Sequence, residues 1–306
     1  MYIVAGTVPI KDLPLIFGEV SQTGNWINIG GEKIPVNRGT SALLAAAIKT
    51  GECLGLPAPY GYLAGDIGRG SGSMRIYEHL TKNLVRSDAQ IITFHYLLPD
   101  LDWHNKVLFA IEEMAHRPTL IADAGYMYAA KMSGQSTAYD LFTPDIGELA
   151  FLADEIAPHT FYTRGFILYE ENKVPELIAR SYAHKNASRY LLTKGEKDYV
   201  ASEKGVLATI DTPSEKAMEA IGGTGDTITG IVSALISKGM EIDEASIIAA
   251  RVNRLAGYYA KPTAATQVIE IISLIPKALE DIFSEKNNTE ALEKSLQREF
   301  AVLPLK

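Results

Sequence analysis

The 306-residue chain holds a single cysteine, Cys53. It can close no internal disulfide and build no cysteine-based zinc site. A chain without a disulfide framework suits a reducing compartment, so a cytoplasmic location is expected. Long apolar runs are missing as well. No stretch approaches the roughly 20 uninterrupted apolar residues of a bilayer-spanning helix, and no membrane partner is expected. The start, Met1 to Gly6, lacks a basic segment and meets Pro9 and Lys11 early, so no signal peptide is expected. Positive charge is scarce. With 29 Lys and Arg against 37 Asp and Glu, the net charge is −8, which opposes binding to a polyphosphate backbone and argues against a nucleic-acid partner. There is no Gly-x-Ser-x-Gly elbow and no Gly-x₄-Gly-Lys-Ser/Thr phosphate loop. The six histidines show no i, i+4 pair of a zinc site. Internal repeats and Pro/Ser-rich linkers are lacking too, so one domain over 1–306 is expected. A small-molecule enzyme or binder remains.

Apolar residues make up 47% and charged residues 22%, the proportions of a globular protein. Short apolar runs at Tyr2–Ala5, Tyr60–Ala64, Gln90–His95, Leu120–Ala122, Tyr139–Phe142 and Tyr190–Thr193 read as buried parallel strands. Helical patterns lie between them at Ser41–Thr50, Met74–Leu84, Asn105–His116, Gly147–Glu155 and Val174–His184. This alternation predicts an α/β fold with a mainly parallel central sheet between helical layers. Trp26–Val36, with Gly30-Gly31 at its centre, reads as a small β flap. After Gly222 the pattern turns helical. Ile228, Ile231, Val232, Leu235 and Ile236 form one stripe ending near Gly239. Further helices are expected over Glu244–Ala260 and Gln267–Ile282, with a charged helical tail over 284–306.

The sharpest motif is Gly222-Gly223-Thr224-Gly225-Asp226-Thr227, directly before that striped helix. Small residues let the backbone approach a ligand, and a helix start offers unpaired N–H groups and the positive end of the dipole. Such a turn can hold a transferring phosphoryl group at Gly223, Thr224 and Gly225. A carboxylate repels phosphate, so Asp226 makes sense as the base that takes the proton of an attacking hydroxyl. Equally, Thr224 or Asp226 could simply cap the helix. Glu148 can be an acidic residue favoured by a first helical turn. Lys194 ends a buried strand and needs a partner, either a phosphate or a carboxylate such as Glu196. Gly65–Ser73 departs from a dinucleotide fingerprint at Ser73 and reads as a loop, in which Asp66 or Arg69 touches substrate or solvent. Asn37 caps the Ala-rich helix or, with Arg38, faces substrate. His95 ends a strand, where α/β sites collect ligands, but a satisfied structural histidine is the more usual reading.

Gly222–Gly230 resembles the phosphoryl-transfer signature of the ribokinase-like superfamily. Within it, the Gly-Thr-Gly-Asp run is most similar to the ADP/ATP-dependent NAD(P)H-hydrate dehydratases. Thr143-Pro144-Asp145-Ile146-Gly147-Glu148 resembles that family's Thr-Pro-His-Pro-Gly-Glu, Leu192–Gly195 its strand ending in Lys-Gly, and Gly39–Ala47 its N-terminal glycine and Ala-rich helix. Three positions depart from the pattern. Asp145-Ile146 stand for His-Pro, Asn253 for a histidine, and Asp123-Ala124-Gly125 for Asp-Ala-Asp.

The resemblance implies a ribokinase-like fold and a nucleotide, ATP or ADP, with Mg²⁺. Asp226 would be catalytic, and Gly223, Thr224 and Gly225 the anion hole. Lys194 and Gly195 would bind nucleotide, and Glu148 would hold Mg²⁺ through water. Asn37, Arg38, Gly39, Asp66, Asp123 and Asn253 would lie on the substrate side. The activity implied is dehydration of hydrated NAD(P)H through phosphoryl transfer and elimination, in a homo-oligomer. The departures keep open an ATP-dependent kinase of a sugar, nucleoside or vitamin precursor. A regulator that has lost catalysis is a third reading, which an intact Asp226 opposes.

Overall fold

The computed structural model describes residues 1–155 and 173–286. Its centre is a nine-stranded sheet. Six strands run parallel in the order β10 (Tyr190–Thr193), β9 (Leu141–Phe142), β8 (Thr119–Ala122), β7 (Ile91–His95), β1 (Tyr2–Val8) and β6 (Tyr60–Gly65). Antiparallel strands close both flanks: β2 (Ile16–Glu19) beside β6, and the hairpin of β11 (Asp198–Ser202) and β12 (Gly205–Ile210) beside β10. Every residue of β1 and β7 is buried. That is why these strands read as unbroken apolar runs rather than alternating ones.

Helices cover both faces. One layer contains α1 (Thr40–Leu54), α7 (Thr224–Ser237), α8 (Ile242–Ala260) and α9 (Val268–Ile272). The other contains α2 (Ser71–Asn83), α3 (Leu101–Glu112), α4 (Gly125–Met132), α5 (Ile146–Ala153) and α6 (Val174–Ala183). Helices α1 and α7 pack closely at Gly230, where a Cβ would lie 2.2 Å from the carbonyl oxygen of Leu43. Above the sheet edge, β3 (Ser21–Thr23), β4 (Trp26–Ile29) and β5 (Glu32–Pro35) form the expected flap as a separate antiparallel sheet.

Several boundaries differ from the sequence reading. Helix α3 begins four residues early because the Asp100 carboxylate accepts from the Trp103 N–H and caps it. Strand β9 is two residues long. The helix expected over Gln267–Ile282 is interrupted at 273–274 and resumes over 275–286. Only 284–286 of the charged tail lies within the described residues. Helix α4 and the β11–β12 hairpin are additional to the elements expected from the sequence. Gly239, in a left-handed conformation, follows α7 as expected. No helix among the described residues is long and apolar enough to cross a membrane.

Candidate active site

The parallel strands all end on one side of the sheet, where the N-termini of α1 and α7 also arrive. Gly223 precedes α7 with φ at 103°, a left-handed value that favours glycine. A Cβ there would lie 3.1 Å from the Arg38 Cα and 3.2 Å from the Val268 Cγ2. No side chain caps α7. The N–H groups of its first turn therefore face the site, as an anion hole requires. Thr224 does not act as the cap; its hydroxyl donates to the carbonyls of Met218 and Ile221.

Asp226, in that first turn, accepts from the Gly39 N–H at 2.6 Å through Oδ2 and from His95 Nε2 at 3.0 Å through Oδ1. Burial alone would push its carboxyl upward. The hydrogen bond and charge of His95, the Lys194 ammonium and the Gly39 N–H reverse that and hold it below the usual carboxylate range. Asp226 is thus a fixed anion beside an uncapped helix start, not a simple helix cap.

Two cavities border the residues next to this carboxylate, Gly225 in the chain and Gly39 by hydrogen bond. One, of about 390 Å³, lies between the β10–β11 turn and α7 and is lined by Asp145, Lys194, Gly195, Thr224, Gly225, Asn253 and Arg254. The other, of about 290 Å³, is lined by Thr7, Pro9, Arg38, Gly39, Asp66 and Tyr96. Gly225 borders the first and Gly39 the second, so Asp226 stands between them. Arg254 stiffens the first wall. It donates to Asp198 at 2.6 Å and to the carbonyls of Gly195 and Glu196.

Lys194 is nine-tenths buried, and its partner is Asp123 rather than Glu196. Its ammonium donates to both oxygens of Asp123, which also accepts from the Thr229 hydroxyl and the Ala124 N–H. Burial pulls the ammonium down, but Asp123, Glu148 and Asp226 more than offset this and hold it above its ordinary range. Asp123 is therefore the counter-ion of Lys194, not a free ligand on the substrate side.

Three other expectations shift. Asn253 lies on the Gly225 side, opposite the Arg38 cavity. It accepts from the Thr227 hydroxyl at 2.5 Å and donates to the Thr224 carbonyl, bracing α7. Asp66 reaches the smaller cavity, but its carboxylate accepts from the N–H groups of Gly68, Arg69, Gly70, Gly72 and Ser73. It clamps its own loop. Asn37 is exposed and lines neither cavity, whereas Arg38 and Gly39 do border the smaller one. His95, which sequence reading gives as a structural histidine, is bonded to Asp226. Its position at a strand end was the available signal, but its bond to Asp226 spans 131 positions.

A family model described as NAD(P)H-hydrate dehydratase matches residues 97–277, more than half of the chain. The chain belongs to this family. An uncharacterized protein of Methanocaldococcus jannaschii is 45% identical over 218 residues, covering 71% of this chain and 89% of that one. A bifunctional NAD(P)H-hydrate repair enzyme of Hyperthermus butylicus is 34% identical over 127 residues, 41% of this chain but only 23% of that enzyme. Among solved structures, the ADP/ATP-dependent NAD(P)H-hydrate dehydratase of Bacillus subtilis, co-crystallised with ATP and Mg²⁺, has the same fold. Its TM-score is 0.53 at 13% identity, with 92% of this chain and 89% of that one covered. The fold is ribokinase-like.

In this member of the dehydratase family, Glu148 opens α5 in a capping box with Asp145. The Asp145 carboxylate accepts from the Glu148 N–H and the Glu148 carboxylate from the Asp145 N–H, each at 2.8 Å. Partial burial, with the Asp145 and Asp123 carboxylates nearby, pushes the Glu148 carboxyl upward. A concentration of negative charge beside the larger cavity fits a cation, so Glu148 and Asp145 suit a hydrated Mg²⁺. His95, Asp123 and Asp226 also lie close enough to share an ion. The Asp123 carboxylate, however, is paired with Lys194, and that of Asp226 is bonded to His95 Nε2.

Proposed function

We propose that the chain dehydrates hydrated NAD(P)H at the expense of ADP or ATP. Asp226 carries this reading, because it is a part-buried anion placed between an uncapped helix start and a second cavity. In the proposed reaction the nucleotide lies in the larger cavity, with its terminal phosphoryl group at the N–H groups of Thr224, Gly225 and Asp226. Lys194 and Gly195 flank it, and Arg38 beside Gly222 and Gly223 supplies a further positive charge. Mg²⁺ held through water at Glu148 and Asp145 would neutralise phosphate charge. The acceptor hydroxyl enters past Tyr96 and Gly39 and loses its proton to Asp226. Its oxygen bonds to phosphorus, and the bond from phosphorus to the nucleotide breaks with its electron pair. Phosphate then leaves with the carbon–oxygen pair, and a neighbouring ring carbon gives up a proton to restore the double bond.

The test is recovery of reduced-nicotinamide absorbance when ATP or ADP is added to hydrated NADH. Recovery at a rate proportional to enzyme supports the reading, and no recovery with either nucleotide refutes it. Two observations favour a second reading, a kinase of a small alcohol such as a sugar, nucleoside or vitamin precursor. The acceptor cavity holds only about 290 Å³, and the carboxylate expected at position 125 is Gly125. ATP consumption driven by such an alcohol, without absorbance recovery, would decide for the kinase.

A further inference from the structure

Tyr96 is the largest side chain lining the smaller cavity, and it stands 49% exposed there. It directly follows β7 and has φ at 51°, a left-handed conformation uncommon for a residue with a side chain. Such a conformation persists only where the surrounding structure holds it, and it clusters at ligand sites. Here the Thr7 hydroxyl holds it by donating to the Tyr96 carbonyl. The ring stands nearly perpendicular to that of His95, with centroids 4.4 Å apart and planes at 83°. A Cβ at Gly39 would lie 3.6 Å from its Cδ2 and Cε2. The protein thus fixes the ring from two sides and leaves half of the residue open.

The other lining side chains have little left to offer a ligand. The Asp66 carboxylate accepts six hydrogen bonds, from five N–H groups and the Ser73 hydroxyl, against about four lone-pair sites. The Thr7 hydroxyl directs its one proton to Tyr96. Pro9 and Gly39 have no polar side-chain atom, and the Gly39 N–H is bonded to Asp226. Among the described residues, only the Arg38 guanidinium and the Tyr96 hydroxyl in this lining have no hydrogen-bond partner. Burial and the Asp226, Asp123 and Glu148 carboxylates push the Tyr96 phenol above its ordinary range. Its hydroxyl therefore keeps its proton and can donate.

We infer that Tyr96 is the specificity-determining residue of the acceptor side, where its ring packs against a conjugated, nearly flat ring that carries the reacting hydroxyl. This rests on the proposed reading of the smaller cavity as the acceptor side. A sugar would bring a hydroxyl on nearly every carbon. Most of these would lose water without gaining a partner, which a binding site penalises heavily. A conjugated ring with few polar substituents needs little beyond a ring to pack on, and stacked or edge-to-face aromatic packing supplies it. Both the hydrated nicotinamide ring and the heteroaromatic ring of a vitamin precursor meet that description. At about 290 Å³ the cavity takes such a ring and leaves the riboses and phosphates of a dinucleotide in water. The acceptor is therefore a ring-borne alcohol poor in other hydroxyls, not a sugar.

The experiment uses full-length protein with ¹³C-labelled tyrosine rings and no nucleotide, the Tyr96 signals being assigned by their loss in Tyr96→Phe. Hydrated NADH, hydroxymethylpyridine, glucose and ribose are titrated in turn. At least one of the two conjugated-ring compounds should shift the Tyr96 signals in a saturable way, and neither sugar should. For the compound that binds, Tyr96→Phe should keep the affinity within about threefold, whereas Tyr96→Asn should lower it about 10- to 100-fold. Asparagine tolerates the left-handed turn, so this variant keeps the fold. Tyr96 signals that no compound moves, or that a sugar moves as far as either conjugated ring, overturn the inference. Wild-type affinity in Tyr96→Asn overturns it as well. If hydroxymethylpyridine binds at Tyr96 while hydrated NADH neither binds nor is turned over, the proposed function fails and the role of Tyr96 stands.

Discussion

Lys194 and Asp123, 71 positions apart, meet end to end in the interior, with the ammonium 2.9 Å and 3.0 Å from the two carboxylate oxygens. Each is nine-tenths or more buried. Gly225 lies against the lysine stem, where a Cβ would be 3.7 to 3.8 Å from Cδ, Cε and Nζ. The pair therefore fixes the floor under the proposed anion hole and presents a cation to it without an incoming phosphate.

Breaking this pair from one side should be costly. Lys194→Met leaves the Asp123 carboxylate buried with the Thr229 hydroxyl, the Ala124 N–H and, at 3.8 Å, His95 Nε2, and should lower stability by about 3–5 kcal/mol. Adding Asp123→Asn should return much of the loss. Urea unfolding of the single and double variants measures both effects. A single variant as stable as wild type would contradict the buried-pair description.

Asp226→Asn should abolish most turnover while sparing the fold. An asparagine oxygen can still accept from Gly39, but its amide cannot take the hydroxyl proton. A loss of roughly 10²- to 10⁴-fold in kcat is expected for a missing general base, with little change in melting temperature. Turnover within a few fold of wild type would remove Asp226 from that role.

Glu148→Gln keeps the shape of the side chain but loses its charge. Nucleotide affinity, measured by calorimetry with and without Mg²⁺, should depend on Mg²⁺ in the wild-type protein and much less in the variant. Equal affinities and equal activities in all four measurements would remove Glu148 from metal binding.

His104 provides a pH test away from the site. Its ring is fully buried, with Nε2 2.8 Å from the Tyr139 hydroxyl and Nδ1 3.0 Å from the Ser133 hydroxyl. Burial pushes it down from 6.5 to about 4. Between these values the unfolded chain takes up a proton that the folded chain refuses. The stability from His104 is thus complete above pH 6.5 and is lost as the pH falls towards 4, up to about 3 kcal/mol in all. Chemical denaturation across that window should show the decline, and His104→Gln should lessen its slope. Parallel slopes for the two proteins would count against it.

The central strands were legible in the chain because a strand buried on both faces has to be apolar throughout. Tyr2–Ala5, Tyr60–Ala64 and Tyr190–Thr193 are accordingly found within β1, β6 and β10. The start of α7 was legible for a similar local reason: only small residues fit where Gly223 passes Arg38, and the apolar stripe after it marks a helix. What could not be read was partnership. Lys194 calls for a carboxylate, but nothing local distinguishes Glu196, two residues on, from Asp123, 71 residues back. Asn253 and Asp66 carry polar groups suited to substrate, yet α7 and the 66–73 loop claim them. His95 looked structural because its bond to Asp226 exists only where β7 ends beneath the first turn of α7. Local sequence determined the elements, since backbone conformation and the burial pattern depend on neighbouring residues. The pairing of buried charges was decided by tertiary structure, because each must find an opposite charge within hydrogen-bond reach and strand order alone sets which one is there.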